Sequence, residues 1–250
     1  MLPEPHIQRV AERAQQLNAR YDGATAAEIV AVSLQEFGAG LAAVSSFGAD
    51  SAVLLHVIAQ TEPTLPVLFL QTNKHFPATL RYRAQLAEEL GLSDIRDIVP
   101  DHAALKLHDP LGALCLTDKD RCCDLRKTQP LAQAVAPFQA WLTGRKQFQA
   151  ATRAGLPVFE AVGQHIRINP LTSWTEQDLE AYRQAHALPP HPLVAQNYRS
   201  IGCMPCTRAL LDGEDQRAGR WAGNGKTECG IHLSGLEAHL KKTVIKGADA

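Results

Sequence analysis

The sequence predicts an α/β protein built on a parallel sheet with helices on both faces. Short apolar runs alternate with longer segments of helical periodicity, which is typical of βαβ units. A tight loop rich in small residues joins the first apolar run to the helix that follows it. The chain has 250 residues, of which 45% are hydrophobic and 20% are charged, so it carries enough apolar material for a large core.

The predicted elements follow from the spacing of the apolar residues. Apolar runs predict strands at residues 41–47, 65–72, 95–99, 140–143 and 165–168. Helical spacing predicts helices at residues 5–20, 24–37, 50–60, 77–90, 123–136 and 175–186. In the third of these helices we expect the buried face to consist of Val53, Leu54, Val57 and Ile58. Just before the last helix, Ser173 and Glu176 have the spacing of a capping box.

The chain divides by composition into a regular core and a looser tail. Pro189, Pro190 and Pro192 interrupt the periodicity, and four glycines lie between residues 219 and 230. Glycine tolerates many backbone conformations, so this stretch is suited to movement. We therefore predict a core over residues 1–210 and an irregular, mobile C-terminal arm over residues 211–250.

Charge and hydropathy exclude several classes of protein. The net charge is −1, with 25 Lys and Arg against 26 Asp and Glu, whereas nucleic-acid binders normally show a basic excess. No apolar run approaches the roughly 18 residues of a membrane span, and polar residues stand where a signal peptide would be apolar. We therefore expect a cytoplasmic protein whose thiols are kept reduced.

The loop at residues 45–51 (SSFGADS) is a candidate anion site. Such a loop at the carboxyl end of a parallel strand presents unpaired N–H groups at the start of a helix. The small residues Ser46, Gly48 and Ser51 would let a phosphate approach closely. The alternative, equally compatible with the composition, is a simple helix cap.

Four of the six cysteines fall in two compact pairs, Cys122-Cys123 and Cys203-Met-Pro-Cys206. Cys-X-X-Cys is a common half-site for zinc or an iron–sulfur cluster, and it also occurs as a redox dithiol. Neighbouring side chains on a helix diverge by about 100 degrees, which suits a cluster with several metal atoms better than one tetrahedral ion. Two buried thiols beside an unrelated zinc knuckle remain the alternative.

The two remaining cysteines have different surroundings. Cys229 lies between glycines, and nearby Lys226 and His232 would favour its thiolate while Glu228 opposes it. It is therefore either a reactive thiol or an incidental one. Cys115, within LGALCL, is predicted to be a small core residue.

Five motifs occur in order between residues 44 and 232: SSFGADSAVLLH, CCDLRKTQPL, TGRKQFQAATRA, GCMPCT with EDQRAGRW, and ECGIH. With these motifs the chain closely resembles the iron–sulfur branch of the assimilatory adenylyl-sulfate reductases, which are relatives of the phosphoadenylyl-sulfate reductases. The resemblance implies the fold of the PP-loop adenine nucleotide α-hydrolase-like superfamily. Three stretches depart from the commoner patterns. Phe47 replaces the first glycine of Ser-Gly-Gly-X-Asp-Ser, residues 71–73 (QTN) replace Asp-Thr-Gly, and residues 144–150 (GRKQFQA) replace Gly-X-Arg-Arg-Asp-Gln-Ser.

The resemblance also implies roles for residues that match the family's motifs. The four paired cysteines, Cys122, Cys123, Cys203 and Cys206, look like the thiolate ligands of a [4Fe–4S] cluster. Cys229 looks like the catalytic nucleophile. The phosphosulfate and the nucleotide would be bound by Lys127, Gly144, Arg153, Arg217 and Arg220, together with the loop residues Ser46, Gly48 and Ser51.

The implied reaction is the reduction of adenosine 5′-phosphosulfate to sulfite and AMP, with thioredoxin as a separate reductant and an S-sulfocysteine intermediate. We also expect a homo-oligomer. The main alternative is the 3′-phosphorylated substrate, although relatives restricted to it generally lack both cysteine pairs. More distant alternatives are a PP-loop sulfur-transfer ligase, which would need an intact glycine loop and a basic RNA-binding face, and an iron–sulfur adenylate sensor.

Overall fold

The computed structural model describes residues 4–221, 228, 230–232 and 235–240. Its six-stranded sheet has the order β3-β2-β1-β4-β6-β5. The strands are β1 (Leu41–Ser45), β2 (Val67–Leu70), β3 (Ile95–Ile98), β4 (Ala140–Thr143), β5 (Phe159–Val162) and β6 (His165–Ile168). All neighbours are parallel except β5 and β6. The predicted α/β class is therefore confirmed, with one antiparallel edge strand added.

Each of the six predicted helical segments is helical, and three short helices between residues 102 and 123 were not predicted. The helices are α1 (Glu4–Arg20), α2 (Ala26–Phe37), α3 (Ser51–Thr61), α4 (Pro77–Glu89), α5 (His102–His108), α6 (Leu114–Thr117), α7 (Lys119–Cys123), α8 (Gln129–Val135) and α9 (Glu176–Ala185). A π-helical turn at Asp124–Thr128 joins α7 to α8, and residues 235–240 are also helical. In the described part of the chain, no helix combines the length and apolarity that crossing a membrane requires.

Helices cover both faces of the sheet, as predicted, because successive strand residues point to opposite sides. In β4, Ala140 and Leu142 belong to one buried cluster and Trp141 belongs to another. The first cluster includes residues of α1, α2, α3, α4 and α9, with Val53, Leu54, Val57 and Ile58 buried as expected. The second includes residues of α8 together with Leu236 and Leu240. The predicted mobile arm falls partly on residues 222–227, 229, 233–234 and 241–250, which lie outside the described residues, so it stays a prediction.

Three local details differ from the sequence-based expectations. Thr175 and Asp178 form the capping box of α9, rather than Ser173 and Glu176, because the helix begins two residues later than the predicted pairing required. Strand β5 was not predicted, although Gly163, with φ of 61°, begins the two-residue turn into β6. The region predicted as one helix over residues 123–136 begins with the π-helical turn.

The topology creates a crevice at the carboxyl ends of β1 and β4. From β1 the chain proceeds through β2 to β3 on one side, and it later returns to place β4 on the other side of β1. In open parallel sheets, the loops that follow two such strands diverge and leave a ligand site between them. Here those loops begin at Ser46 and Gly144.

Candidate functional site

The loop after β1 reaches the crevice through a left-handed backbone at Phe47. Its φ is 47°, a conformation that normally favours glycine. The ring is fully buried and packs edge-on against Phe69, with 5.6 Å between the ring centroids. Phe47 thus combines a glycine-like backbone with a core side chain, and Ser46 and Gly48 beside it line the crevice. The replacement of the motif glycine leaves the shape of the loop compatible with anion binding.

The second motif departure involves the same conformation. Asn73 stands where the family pattern has glycine, and its φ is 59°. Asparagine is among the few non-glycine residues that adopt the left-handed region readily. The turn after β2 therefore keeps a left-handed residue at the position of the family's glycine.

The amino end of α3 opens into the crevice without a side-chain cap. Asp50 occupies the N-cap position, but its carboxylate makes no hydrogen bond to the helix backbone. It accepts instead from Lys146 Nζ at 2.9 Å and from Gln149 Nε2 at 3.2 Å. The simple helix cap that composition left open is therefore not what the structure contains. The orientation of the helix end toward the cavity suits an anion.

Cationic side chains converge on this cavity, although the whole chain is nearly neutral. Within the described residues, the lining includes seven Lys or Arg side chains: Lys127, Arg145, Lys146, Arg153, Arg199, Arg217 and Arg220. Asp50 is the one acidic residue that lines the cavity in that part of the chain. The resulting field favours an anionic ligand.

Two of these cations are paired with carboxylates in ways that the sequence left open. Lys146 is almost fully buried and pairs with Asp50. Arg145 pairs with Glu160 at 2.7 Å, and Glu160 also pairs with Arg167 at 2.6 Å. Burial, followed by the neighbouring Arg167 charge, lowers the pKa of Arg145 to about 10. Both residues thus help to hold the loop after β4 in place.

Arg153 forms a buried, bidentate ion pair with Glu228. Its Nε and Nη2 donate to the two carboxylate oxygens at 2.6 and 2.9 Å, and both side chains are 4% exposed. Arg217 Nη2 lies 3.5 Å from the same carboxylate. Burial opposes ionisation of Glu228, but the hydrogen bonds and charge of Arg153, with further help from Arg217, hold its pKa below the usual range.

Arg220 presents its guanidinium differently. Among the described residues, its buried Nε has no hydrogen-bond partner. The guanidinium carbon lies 4.4 Å from the centre of the Trp221 ring. The side chain also packs so closely on Gly202 that a Cβ there would lie 2.4 Å from Nη2. An unpaired buried donor in a cationic cavity is the arrangement expected of an anion-binding arginine.

A second, smaller cavity is lined by both cysteine pairs. Cys122, Cys123, Cys203 and Cys206 share it with Cys115, which is buried as predicted. Burial raises the pKa of the Cys122 thiol to about 11, and it also raises the pKa of Cys206. Thr72 Oγ1 lies 3.3 Å from Cys203 Sγ. Sequence reasoning missed that Cys115 would stand beside the other four thiols.

The donor set of this second cavity consists of thiols. Among the described residues, no three His, Cys, Asp or Glu side chains form a site for one metal ion. Four thiols around one enclosed cavity are nevertheless the donor set that soft metals and iron–sulfur clusters select. Lys74, Arg126 and Lys127 line the same cavity and would offset the negative charge of four thiolates.

The structure brings the predicted site residues together in two adjoining groups. The larger cavity is lined by all eight predicted substrate ligands: Ser46, Gly48, Ser51, Lys127, Gly144, Arg153, Arg217 and Arg220. Cys229 lies outside the described residues, whereas Glu228 and Gly230 on either side of it are described. Sequence reasoning missed His75 and Arg199 in the lining, since neither lies in a motif, and it missed Gln216 although that residue lies within EDQRAGRW.

Comparisons with known proteins agree on the family. Residues 40–209 match the family described as "Phosphoadenosine phosphosulfate reductase domain". An adenosine 5′-phosphosulfate reductase from Mesorhizobium japonicum is 59% identical over 232 residues, which is 92% of this chain and 91% of that protein. A protein of the same name from Streptomyces coelicolor is 37% identical and covers 90% of this chain and 94% of its own length.

Solved structures are similar in fold. The phosphoadenylyl-sulfate reductase from Candida auris, in its phosphate complex, superposes with a TM-score of 0.65 at 26% identity, covering 77% of this chain and 95% of that one. The FMN adenylyltransferase of Candida glabrata, in complex with FAD and pyrophosphate, has a TM-score of 0.51 at 13% identity, covering 88% and 85%. The second likeness concerns the fold alone.

Proposed function

The chain belongs to the phosphoadenosine phosphosulfate reductase family of oxidoreductases, and on that premise we propose that it reduces adenosine 5′-phosphosulfate to sulfite and AMP with thioredoxin as the electron donor. The reaction would serve sulfate assimilation and cysteine biosynthesis. The relatives named adenosine 5′-phosphosulfate reductase support the choice of substrate. The proposed location is the cytoplasm, where thiols are kept reduced. The expected homo-oligomer stays a prediction.

One observation carries the proposal: the cationic cavity and the cysteine cavity share two residues. Lys127 and Trp221 line both of them. Lys127 lies in the π-helical turn that directly follows the Cys122-Cys123 pair. A side chain in this place can contact an anionic substrate on one side and a thiolate-bound group on the other, as a reductase with both components requires.

We propose that the crevice binds the nucleotide at the PP-loop and the phosphosulfate at the cationic end. Ser46, Gly48 and Ser51 would offer small side chains and backbone N–H groups at the start of α3, and Gly144 would do the same in the loop after β4. Lys127, Arg217 and Arg220 would neutralise the phosphosulfate. Because the nucleophile is itself an anion, this neutralisation lowers the cost of its approach to the substrate.

The chemistry then proceeds in three displacement steps. The Cys229 thiolate attacks the sulfur of the phosphosulfate, the bond from that sulfur to the bridging oxygen breaks, and AMP leaves with the electron pair. The enzyme now carries a Cys–S–SO₃⁻ group. A thioredoxin thiolate attacks the Cys229 sulfur and sulfite departs, after which the second thioredoxin thiol resolves the mixed disulfide and regenerates the Cys229 thiolate. The thioredoxin dithiol thus supplies both electrons.

We further propose that Cys122, Cys123, Cys203 and Cys206 hold a [4Fe–4S] cluster. Bound there, it would order the segment from Cys122 to Lys127 and so place the positive charge of Lys127 beside the substrate. Anaerobically purified protein should then contain about four iron atoms per chain. Stoichiometric zinc without iron or sulfide would contradict the assignment.

The function is tested by measuring sulfite release from adenosine 5′-phosphosulfate and from its 3′-phosphorylated form, with thioredoxin, on anaerobically purified protein. We expect turnover of the first substrate. Without thioredoxin, the protein should gain one SO₃ group, located on Cys229 by peptide mass spectrometry. Cys229→Ser should retain iron and bind nucleotide but form no adduct. Full turnover by this variant, or an adduct on Cys115 or on a paired cysteine, would overturn the mechanism.

A further inference from the structure

The amino end of α3 carries a carboxylate at the edge of a cavity that is otherwise cationic. Asp50 stands at the N-cap position and lines the cavity, and its side chain is 37% exposed. An uncompensated negative charge there would repel a phosphate that approached the start of the helix. The group that neutralises Asp50 therefore decides how well this end of the cavity accepts an anion.

Lys146 is the cation that pairs with this carboxylate. Its Nζ donates to Asp50 Oδ2 at 2.9 Å, and Gln149 Nε2 donates to the same oxygen at 3.2 Å. The Lys146 side chain is only 2% exposed. Leaving a buried ammonium without its partner costs far more than an N-cap hydrogen bond gains, so the pair is favoured over capping of the helix by Asp50. The carboxylate accordingly makes no hydrogen bond to the helix backbone.

The loop after β4 has other attachments on both sides of Lys146. On one side, Arg145 pairs with Glu160 at 2.7 Å. On the other side, the backbone N–H of Gln147 donates to the Thr172 carbonyl at 2.9 Å. These contacts hold the loop independently of the Lys146 ammonium. The burial of a charged side chain between them therefore indicates a role beyond attachment of the loop.

We propose that Lys146 is a positioning residue: it neutralises Asp50 and holds that carboxylate off the amino end of α3, which leaves this end free for the phosphate of the nucleotide. The inference rests on the proposed function for the identity of the ligand and on the described contacts for the pair. Lys146 acts through Asp50 and does not contact the phosphate. Without Lys146, the released carboxylate repels the phosphate and competes with it for the N–H groups of the first helical turn.

Four variants test the pair. Lys146→Met removes the charge and keeps an unbranched side chain, and a double variant combines it with Asp50→Ala, which removes the carboxylate as well. Lys146→Arg keeps the charge. Lys106→Met is the matched control, because Lys106 is exposed on α5 and lines neither cavity. For each protein we would measure the dissociation constants of AMP and of adenosine, the KM and kcat of sulfite release, and backbone hydrogen exchange over residues 44–54.

The positioning role predicts a specific combination of results. Lys146→Met should weaken AMP binding on the order of tenfold, the effect of one uncompensated charge near the phosphate. Adenosine has no phosphate, so its dissociation constant should change less than about twofold. The double variant should bind AMP within about twofold of the unmodified protein, as should Lys146→Arg and Lys106→Met. In Lys146→Met the KM should rise while kcat changes little, because the ground state and the transition state lose the same interaction.

Other outcomes overturn the inference. If the double variant binds AMP as weakly as Lys146→Met does, Lys146 contacts the phosphate directly. If Lys146→Met weakens adenosine as much as AMP, or exchanges faster over residues 44–54, its role is structural. An unmodified protein that binds AMP but releases no sulfite would refute the proposed function alone, because the binding comparison needs no turnover. If the double variant does not fold, Asp50→Asn combined with Lys146→Met takes its place, since asparagine keeps the volume of the side chain and removes its charge.

Discussion

Replacing Phe47 by alanine and by glycine should reverse the usual order of stability of those two residues. Phe47 is fully buried, so its truncation to alanine should cost about 3–5 kcal/mol of unfolding free energy. Its φ of 47° adds a penalty for any residue that has a Cβ. Glycine removes that penalty of about 1–2 kcal/mol. Glycine also lowers the unfolding free energy by about 0.5–1 kcal/mol, because it has more conformational freedom in the unfolded chain than alanine has.

Phe47→Gly should therefore be more stable than Phe47→Ala by about 0.5–1 kcal/mol. Phe69 supplies the matched control, because it is equally buried and packs against Phe47 but lies in the regular strand β2. There, glycine should be less stable than alanine by about 0.5–1 kcal/mol. The two comparisons should thus differ by about 1–2 kcal/mol.

Urea unfolding of the four variants under one set of anaerobic conditions measures these differences. The opposite result would be a Phe47→Gly variant that is less stable than Phe47→Ala by as much as Phe69→Gly is less stable than Phe69→Ala. That result would mean that the loop does not hold a left-handed residue there. The family's glycine would then have been replaced by a change in loop shape, and the case for anion binding at this loop would weaken.

Three further predictions concern the cationic cavity. Lys127→Ala and Arg220→Ala should each lower kcat/KM by an amount that corresponds to a loss of about 2–4 kcal/mol of transition-state stabilisation, with the iron content unchanged. Lys106→Ala, on the exposed face of α5, should have no effect. If kcat/KM is unchanged in both variants, Lys127 and Arg220 are ordinary surface charges. Gly202→Ala should reproduce the kinetic defect of Arg220→Ala with little loss of stability, because the new Cβ would displace the flexible end of the Arg220 side chain; full activity would contradict the observed contact. Glu160→Gln should reduce the loss of unfolding free energy that the protein shows as the pH falls. Burial opposes ionisation of Glu160, but its partners Arg167 and Arg145 hold the pKa of this carboxyl below the unfolded value of about 4.3. The carboxylate of Glu160 therefore stabilises the fold above that pH, and this stabilisation is lost as the pH falls through the folded pKa. Unfolding midpoints between about pH 3 and 7 measure this contribution, and parallel curves for the two proteins would refute it.

The strands and helices of the core were predictable because their signals are local. An apolar run such as Val67–Leu70, or a buried helix face such as that of α3, is visible in the spacing of a few residues. The antiparallel strand β5 is different. Its two end residues, Phe159 and Val162, are buried, but the two between them, which include Glu160, are only partly buried. The periodicity is therefore weak, and the pairing of the strand depends on β6. The π-helical turn at Asp124–Thr128 likewise has no sequence signature in the spacing of apolar residues.

The placement of the site was predictable for a related reason. Each predicted ligand belongs to a motif that follows a strand or flanks a cysteine pair, and parallel topology collects such segments at one edge of the sheet. What the sequence does not contain is the partner of each side chain. The Lys146–Asp50 pair joins residues 96 positions apart, and the Arg153–Glu228 pair joins residues 75 apart. Neither spacing has a local signature.

This distinction decides how a cationic cavity should be interpreted. A family motif predicts that an arginine lies near the substrate, but it does not separate an arginine that binds the anion from one that orients a carboxylate of the protein. Arg153 orients a carboxylate of the protein through its buried, bidentate pair with Glu228, and its hydrogen bonds to Glu228 and Gln149 use three of its five N–H donors. A buried donor without a partner, as at Arg220 Nε, favours the first, because an arriving anion satisfies a group that has no hydrogen-bond partner among the described residues.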